Sequence, residues 1–298
     1  MQIAVTGATG FLGRYIVNRL LAAGHQCRCW YRAGSDRGGF ETSAQQLEWI
    51  PGDLSKAASC ANLVADCDAV VHAALYRVGA DFRGGEGDLA TFLQNNLLGT
   101  MKLIESSHTL NVSRFVFVSS CAVHEQILGD RPLDETHPVS PKSHYGAHKA
   151  AIEQFIHSYG WGMGYDICGL RPTGIYGVAR PAERSKWFAL IQSIVQGAPV
   201  TCRSGGKEVH ASDVAQAVEI LLTAEGVSGE VYNCYDRYVS EYDVATLAKR
   251  LSHSESTIEG QSKQPLHQIE TGKLRALGMK FGGDALLEKV VNDLIERI

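Results

Sequence analysis

Residues 6–13, which read TGATGFLG, place three glycines at three-residue intervals directly after an apolar run at residues 3–5. They open a stretch, residues 11–23, in which apolar side chains recur every three or four positions and which Gly24 closes. This order predicts a buried strand, a tight turn and a helix. Glycine lets a backbone approach a ligand closely, and a helix N-terminus offers N–H donors and partial positive charge. The turn therefore predicts a phosphate-binding loop, although its spacing differs from the commoner Gly-x-Gly-x-x-Gly pattern.

Short apolar runs recur along the first half of the chain with helical patterns between them. The runs lie at residues 3–5, 27–31, 47–50, 69–72, 115–118 and 167–170. Alternating strands and helices form a parallel sheet, and right-handed crossovers then cover both of its faces with helices. We predict an α/β fold, a doubly wound parallel sheet (Rossmann) of about seven strands that binds its ligand at the strand carboxyl ends.

The alternation stops after about residue 172. Irregular sequence follows, with separate helical patterns at residues 183–195, 212–223, 241–251 and 284–295. We therefore predict a nucleotide-binding domain over residues 1–171, with a return segment at about 208–225. A smaller α/β substrate lobe is predicted from residues 172–207 and 226–298.

Charge and cysteine content exclude several classes of function. The chain has 28 basic and 32 acidic residues, a net charge of −4, which gives a polyanion such as nucleic acid no general reason to bind. No signal peptide or membrane span is readable, so we expect a cytoplasmic protein. The eight cysteines form no Cys-x-x-Cys pair and are expected to be reduced.

His144 and His148 have a spacing that can bind a metal, but no glutamate motif accompanies them, and we expect no metal site.

Tyr145 and Lys149 are four residues apart in a segment that reads as helical through Ile156. Their side chains therefore share one face of a helix. A phenol with a pKa of about 10 is a poor base at neutral pH, but a neighbouring ammonium favours the phenolate. The pair suits proton transfer, and the lysine could also hold a ribose. In other contexts the same spacing is an ordinary surface pair.

The sequence resembles the extended short-chain dehydrogenase/reductase family, the NAD-dependent epimerase/dehydratase group, over nearly its whole length. The Gly loop and the Tyr-x-x-x-Lys pair are the specific motifs. The others are GDL (52–54), HAA (72–74), NLLGT (96–100), VSS (118–120), RPT (171–173), VHASDVA (209–215), GEVYN (229–233) and KLRALG (273–278).

The resemblance implies roles for individual residues. The family's catalytic Ser or Thr lies four residues before the Tyr of a Val-Tyr-Gly turn, which aligns with Ser120 and makes Ser119 the second choice. The turn itself departs from the family, because it reads Val-His-Glu at residues 123–125. Ser120 would orient the substrate oxygen, Tyr145 would exchange the proton, and Lys149 would tune the tyrosine. The resemblance places the dinucleotide against Gly7, Thr9, Gly10, Phe11, Leu12, Gly13, Arg32, Asp53, Leu54, Ala73, Ala74, Asn96, Ser119, Tyr145, Lys149, Pro172 and Thr173.

The end of the second strand indicates which dinucleotide is preferred. Members that prefer NAD carry an acidic residue there, which accepts hydrogen bonds from the adenosine ribose. Here the strand ends at Arg32, which with Ser35 or Arg37 could pair with a 2′-phosphate. We predict NADP as the preferred cofactor and leave NAD open.

The leading functional hypothesis is an NAD(P)-dependent oxidoreductase that transfers hydride at a hydroxyl or carbonyl of a small, sugar-like or other small-molecule substrate. One alternative is a nucleotide-sugar epimerase/dehydratase with tightly bound NAD, and another is a non-catalytic NADP-sensing protein. Family members that bind nucleotide-diphosphate sugars carry Asn and Arg where this chain has Gly174 and Gly206. We therefore expect a substrate without a clamped diphosphate. Five basic residues of the smaller lobe could replace the missing contacts or could form a solvated basic face: Arg180, Arg184, Lys186, Arg203 and Lys207. A small molecule is the expected partner, nucleic acid and membrane are not, and a homodimer is left open.

Overall fold

The computed structural model describes residues 1–40, 46–79 and 84–298. The strands are β1 (Gln2–Thr6), β2 (Gln26–Tyr31), β3 (Leu47–Pro51), β4 (Ala69–His72), β5 (Arg114–Val118), β6 (Ile167–Pro172), β7 (Gly174–Tyr176), β8 (Val200–Cys202), β9 (Gly205–His210), β10 (Val231–Cys234), β11 (Arg237–Ser240) and β12 (Ile258–Gly260). The α-helices are α1 (Phe11–Ala22), α2 (Ala57–Val64), α3 (Leu89–Leu93), α4 (Gly99–Thr109), α5 (His144–His157), α6 (Phe188–Val195), α7 (Ala211–Thr223), α8 (Glu241–Ser252), α9 (Gly272–Ala276) and α10 (Gly283–Ile295).

Seven parallel strands form the main sheet in the spatial order β3-β2-β1-β4-β5-β6-β10, which confirms the predicted doubly wound parallel sheet. The central strands are mostly apolar because helices cover both faces, and all four residues of β4 are buried. The strand order reverses between β1 and β4. In folds of this type a crevice for ligands opens at that point, at the carboxyl ends of the strands.

The chain divides into two compact units. The first consists of Met1–Pro172, Val214–Cys234 and Ile269–Met279, and the second of Thr173–Asp213, Tyr235–Gln268 and Lys280–Ile298. This differs from the predicted division, which gave all of residues 226–298 to the smaller lobe and 208–213 to the return segment. Strand β10 pairs with β6 as an edge of the main sheet. A four-residue strand carries too little periodicity to reveal that position from sequence.

The second unit is built on two small sheets, β11-β9-β7 and β12-β8. Its apolar core includes side chains of α6, α8 and α10. The helix expected over residues 183–195 begins only at Phe188, because Trp187 has a φ of +67° and a helical residue needs a negative φ. Within the described residues, every helix is too short or too polar to cross a membrane.

Candidate active site

The glycine loop joins β1 to α1 and packs against the end of β4. Gly7 has a φ of +75°, and a Cβ added there would lie 2.7 Å from the carbonyl carbon of Ala73. A Cβ on Gly13 would lie 2.0 Å from the carbonyl oxygen of Gly7. Both positions therefore require glycine, one for its backbone conformation and both for the close approach of backbone segments.

The first turn of α1 is suited to a phosphate. Gly10 is the exposed N-cap residue, and because a glycine has no side chain, it cannot cap the N–H groups of the first turn. The N–H groups at the start of a helix lack intrahelical partners and carry partial positive charge. Gly7, Gly10 and Gly13 thus form a cradle that side chains would fill. These residues fit the pyrophosphate of a dinucleotide, and Thr9, Phe11 and Leu12 belong to the same turn.

Arg14 links this loop by hydrogen bonds to the segment that follows β2, a role that the sequence did not predict. Its guanidinium donates to the carbonyl oxygen of Thr9, to that of Gly38 at 3.1 Å and to that of Asp36 at 2.8 Å. The Asp36 carboxylate lies 3.2 Å from the same guanidinium. The only sequence signal was an arginine directly after the third glycine.

The end of β2 carries Arg32, whose side chain is exposed. The Arg32 N–H donates to the Ser35 hydroxyl at 3.1 Å, so Ser35 stabilises the turn. The guanidinium carbon of Arg37 lies 4.6 Å from the centre of the Tyr31 ring. The strand therefore ends in cationic side chains, as the sequence indicated.

A buried polar chain connects the ends of β1 and β4 to the helical segment that contains Asn96. His72 Nδ1 lies 2.6 Å from the Thr6 hydroxyl, and its Nε2 lies 2.8 Å from the Thr100 hydroxyl. Burial lowers the pKa of His72 to about 3, so the ring is neutral. The Asn96 amide accepts from the Tyr76 N–H at 2.7 Å and donates to its carbonyl at 2.9 Å.

The same hydrogen-bonded region fixes the backbone after β4. The Ala74 N–H donates to the Thr6 hydroxyl at 3.2 Å, and Ala73 lies against Gly7. The structure therefore brings Ala73, Ala74 and Asn96 together with the glycine loop. Asn96 acts on this segment through the backbone of Tyr76, which the sequence did not reveal.

Helix α5 carries Tyr145 and Lys149 one turn apart. Lys149 is buried, and its Nζ donates to the Val118 carbonyl at 2.8 Å and lies 4.4 Å from the centre of the Phe117 ring. Burial lowers the pKa of Lys149 to about 7, while the nearby Glu153 carboxylate raises it. The lysine is thus held at the carboxyl end of β5 rather than in solvent.

Tyr145 is half-buried, and its ring centre lies 5.4 Å from that of His148. The Tyr145 N–H donates to the buried Glu86 carboxylate at 3.3 Å. His148 packs edge-on against Phe92, and burial lowers its pKa to about 2. Its environment is that of a packed neutral side chain.

Glu153 continues the face of Tyr145 and Lys149 and anchors the strand ends next to them. It accepts from the Ser119 hydroxyl at 2.5 Å and from two nitrogens of Arg171 at 2.9 and 2.8 Å. Arg171 also lies 3.1 Å from His124 Nε2. The Ser119 hydroxyl hydrogen is therefore used by Glu153, which favours Ser120 as the serine that can donate to a substrate.

Ser120 follows β5 and begins a 3₁₀ turn, Cys121–His124. Its hydroxyl oxygen accepts from the Ala122 N–H at 3.1 Å, so the residue does cap a turn. Because that contact uses only the oxygen as acceptor, the hydroxyl hydrogen can still be donated to a ligand.

The remaining residues expected to contact the cofactor are Asp53, Leu54, Pro172 and Thr173. The Asp53 carboxylate accepts from the Ser55 N–H and hydroxyl at 2.9 and 2.7 Å, and these bonds lower its pKa. Leu54 is packed so that a Cβ on Gly99 would lie 2.9 Å from its carbonyl oxygen. Pro172 ends β6 opposite Cys234. Thr173 belongs to the second unit, and its buried hydroxyl has no hydrogen-bond partner among the described residues.

Comparison with known proteins agrees with this geometry. The sequence model of the NAD dependent epimerase/dehydratase family matches residues 3–234. The chain is 29% identical to a 3 beta-hydroxysteroid dehydrogenase/Delta 5-->4-isomerase of Mycobacterium tuberculosis over 66% of this chain and 52% of that protein, so it spans about half the relative's length. It is 27% identical to a dTDP-D-glucose 4,6-dehydratase of Mus musculus over 94% of this chain and 84% of that protein.

Solved structures share the fold. The UDP-glucose 4-epimerase of Thermus thermophilus in complex with NAD superimposes with a TM-score of 0.78 at 23% identity, over 99% of each chain. DesIV, a dTDP-glucose 4,6-dehydratase of Streptomyces venezuelae, gives a TM-score of 0.79 at 20% identity, over 100% of this chain and 97% of that one. With a family match that covers most of its length, the chain belongs to the NAD-dependent epimerase/dehydratase family.

Proposed function

We propose that this protein is an NAD(P)-dependent oxidoreductase that acts on a hydroxyl or carbonyl group of a small, sugar-like or other small-molecule substrate. The observation that carries the proposal is the buried Lys149, held on the Val118 carbonyl one helical turn after Tyr145. Burying a lysine is costly, and it is found where a function or a structural partner requires it. The glycine loop and the family membership support the same assignment.

The proposed roles follow from the positions of three side chains. A bound nicotinamide dinucleotide would supply the hydride-transfer chemistry. The Tyr145 hydroxyl gives a proton to the substrate oxygen in reduction and receives it in oxidation. Charged Lys149 favours the phenolate form of the tyrosine, and Ser120 donates its hydroxyl hydrogen to the same substrate oxygen.

The dinucleotide would be held by the glycine loop, by Ala73 and Ala74, and by Asn96 through the backbone it fixes. We further propose NADP as the preferred cofactor, because Arg32 and Arg37 replace an acidic residue at the end of β2. Substrate contacts are assigned to the second unit. The homodimer and the cytoplasmic location remain predictions.

A nucleotide-sugar epimerase or dehydratase is the second candidate, since the mouse relative and DesIV are dTDP-glucose dehydratases and the Thermus thermophilus protein is a UDP-glucose epimerase. The two candidates differ in net redox change. A reductase or dehydrogenase changes the absorbance of the nicotinamide with every turnover, whereas an epimerase returns its cofactor to the starting state. The non-catalytic sensor is disfavoured by the presence of both Tyr145 and Lys149.

The test is Tyr145→Phe, assayed with a panel of small alcohols, sugars and their carbonyl counterparts by the absorbance of the reduced nicotinamide. We expect turnover to fall by about 10²–10⁴, the usual contribution of a general acid–base group, with the Kd of the cofactor nearly unchanged. Tyr159→Phe is the matched control, because that hydroxyl donates to Glu105 at 2.6 Å on the surface. Full activity of Tyr145→Phe would refute the assignment.

A further inference from the structure

In the second unit, a carboxylate occupies the space above two glycines. Glu208 on β9 is only 2% exposed and is the register partner of Gly174 on β7. A Cβ added to Gly174 would lie 2.6 Å from Glu208 Oε2, and one added to Gly206 would lie 2.5 Å from Oε1. Any side chain at these two positions would have to displace the carboxylate.

The two oxygens of this carboxylate are used differently. Oε1 accepts from Nζ of Lys186, whose side chain is 39% exposed. Oε2 is buried and has no hydrogen-bond partner in the described part of the chain. A buried acceptor without a donor is unfavourable, so a bound donor would stabilise the protein here. Gly174 is exposed and, as a glycine, places no side chain against the carboxylate.

The charges of this cluster select the kind of donor. Glu208 cancels the charge of Lys186, so the pair presents little net field to a ligand. A phosphate would meet the carboxylate, beside which the Lys186 ammonium is already paired, and an ammonium ligand would meet Lys186. An uncharged hydroxyl can donate to Oε2 without either repulsion.

We propose that Glu208, Lys186, Gly174 and Gly206 form a substrate subsite that accepts an uncharged hydroxyl group and excludes phosphate. This inference rests on the proposed function in one respect, because it takes the ligand to be the substrate of that enzyme. The subsite distinguishes this chain from the relatives named for nucleotide-diphosphate sugars, although the fold is shared. Glu208 is then a specificity-determining residue.

The first test is calorimetry with UDP on NADP-saturated protein, so that the glycine loop is already filled. We expect no UDP binding to the wild type up to millimolar concentration. Glu208→Gln should gain affinity by about tenfold or more because it frees the charge of Lys186, and the Glu208→Gln/Lys186→Met double variant should lose that gain. Glu183→Gln, which removes an exposed carboxylate nearby in sequence, should behave as the wild type.

Low-micromolar binding of UDP to the wild type, or an unchanged affinity in Glu208→Gln, would overturn the proposal. Gly174→Ala provides a second variant if Glu208→Gln folds poorly, because its backbone is compatible with alanine and its Cβ must displace the carboxylate. Gly174→Ala should raise KM for the best hydroxyl substrate of the panel about tenfold and leave kcat nearly unchanged. Unaltered KM would count against the subsite.

The two proposals fail in distinguishable ways. If Tyr145→Phe retains full turnover while Glu208→Gln gains UDP affinity, the catalytic assignment is wrong and the subsite stands. If Tyr145→Phe loses turnover but the Glu208 and Gly174 variants change neither UDP affinity nor KM, the enzyme assignment stands and the subsite is wrong.

Discussion

Removal of the Glu153 carboxylate would leave a guanidinium buried without its partner. Glu153 is 0% exposed and Arg171 is 1% exposed. Their two parallel hydrogen bonds, at 2.9 and 2.8 Å, are joined by one from Ser119 at 2.5 Å. Glu153→Ala therefore leaves Arg171 buried without the counter-charge that compensates its desolvation, and the Ser119 hydroxyl loses its acceptor.

The expected loss is large. Deleting one member of a buried ion pair typically costs about 3–5 kcal/mol, most of it from the uncompensated charge that stays behind. For a folding unit of about 150–250 residues, such as the first unit, each kcal/mol lowers Tm by about 2–4 °C, so Tm should fall by about 6–20 °C. Part of the effect should reach catalysis, because Glu153 anchors the strand ends beside Lys149 and Ser120.

Urea unfolding of the single variants and of Glu153→Ala/Arg171→Met measures the prediction. The double variant removes both charges, so it should be clearly more stable than the sum of the single losses predicts. A loss below about 1 kcal/mol in Glu153→Ala would refute the reasoning. Simple additivity in the double variant would refute it as well.

Two further predictions concern charged side chains of the first unit. Burial lowers the pKa of Lys149 from 10.5 to about 7. Between these two pH values the lysine is protonated in the unfolded chain and largely deprotonated in the folded one. Its contribution to the free energy of unfolding therefore rises with pH, by at most about 1.4 kcal/mol per pH unit. Lys149→Met should therefore stabilise the protein more at pH 6.5 than at pH 8.5 in urea unfolding, and a difference independent of pH would contradict this. Arg32→Ala should raise the Kd of NADP about tenfold and leave that of NAD unchanged, with the exposed Arg131→Ala as control. Tighter binding of NAD than of NADP by the wild type, with Arg32→Ala neutral, would show that the preference is wrong.

The sequence predicted the elements whose patterns are local. Six apolar runs became strands of the main sheet, and the stretch at residues 11–23 became α1. Tyr145 and Lys149 lie on α5 as their spacing indicated. These features could be predicted because the spacing of apolar residues along a short segment indicates both its secondary structure and its buried face.

Partners distant in sequence could not be predicted. Glu153 and Arg171 are charged residues that a pattern assigns to solvent, yet they are buried together because each supplies the other's counter-charge. Gly174 and Gly206 read as positions that lack donor side chains, whereas the structure shows that Glu208 occupies the space above them. Residues 231–234 joined the main sheet through pairing with β6, which no local pattern specifies.

The central claim is that the glycine loop binds a nicotinamide dinucleotide, and the fluorescence of NADPH on titration with protein tests it most directly. Gly7→Ala places a Cβ 2.7 Å from the backbone of Ala73, whereas Gly24→Ala has the same kind of positive φ but nothing within 4 Å. We predict saturable binding by the wild type, nearly the same Kd in Gly24→Ala, and a Kd raised at least about tenfold in Gly7→Ala. Absence of saturable binding by the wild type, or equal affinity in Gly7→Ala, would contradict the claim.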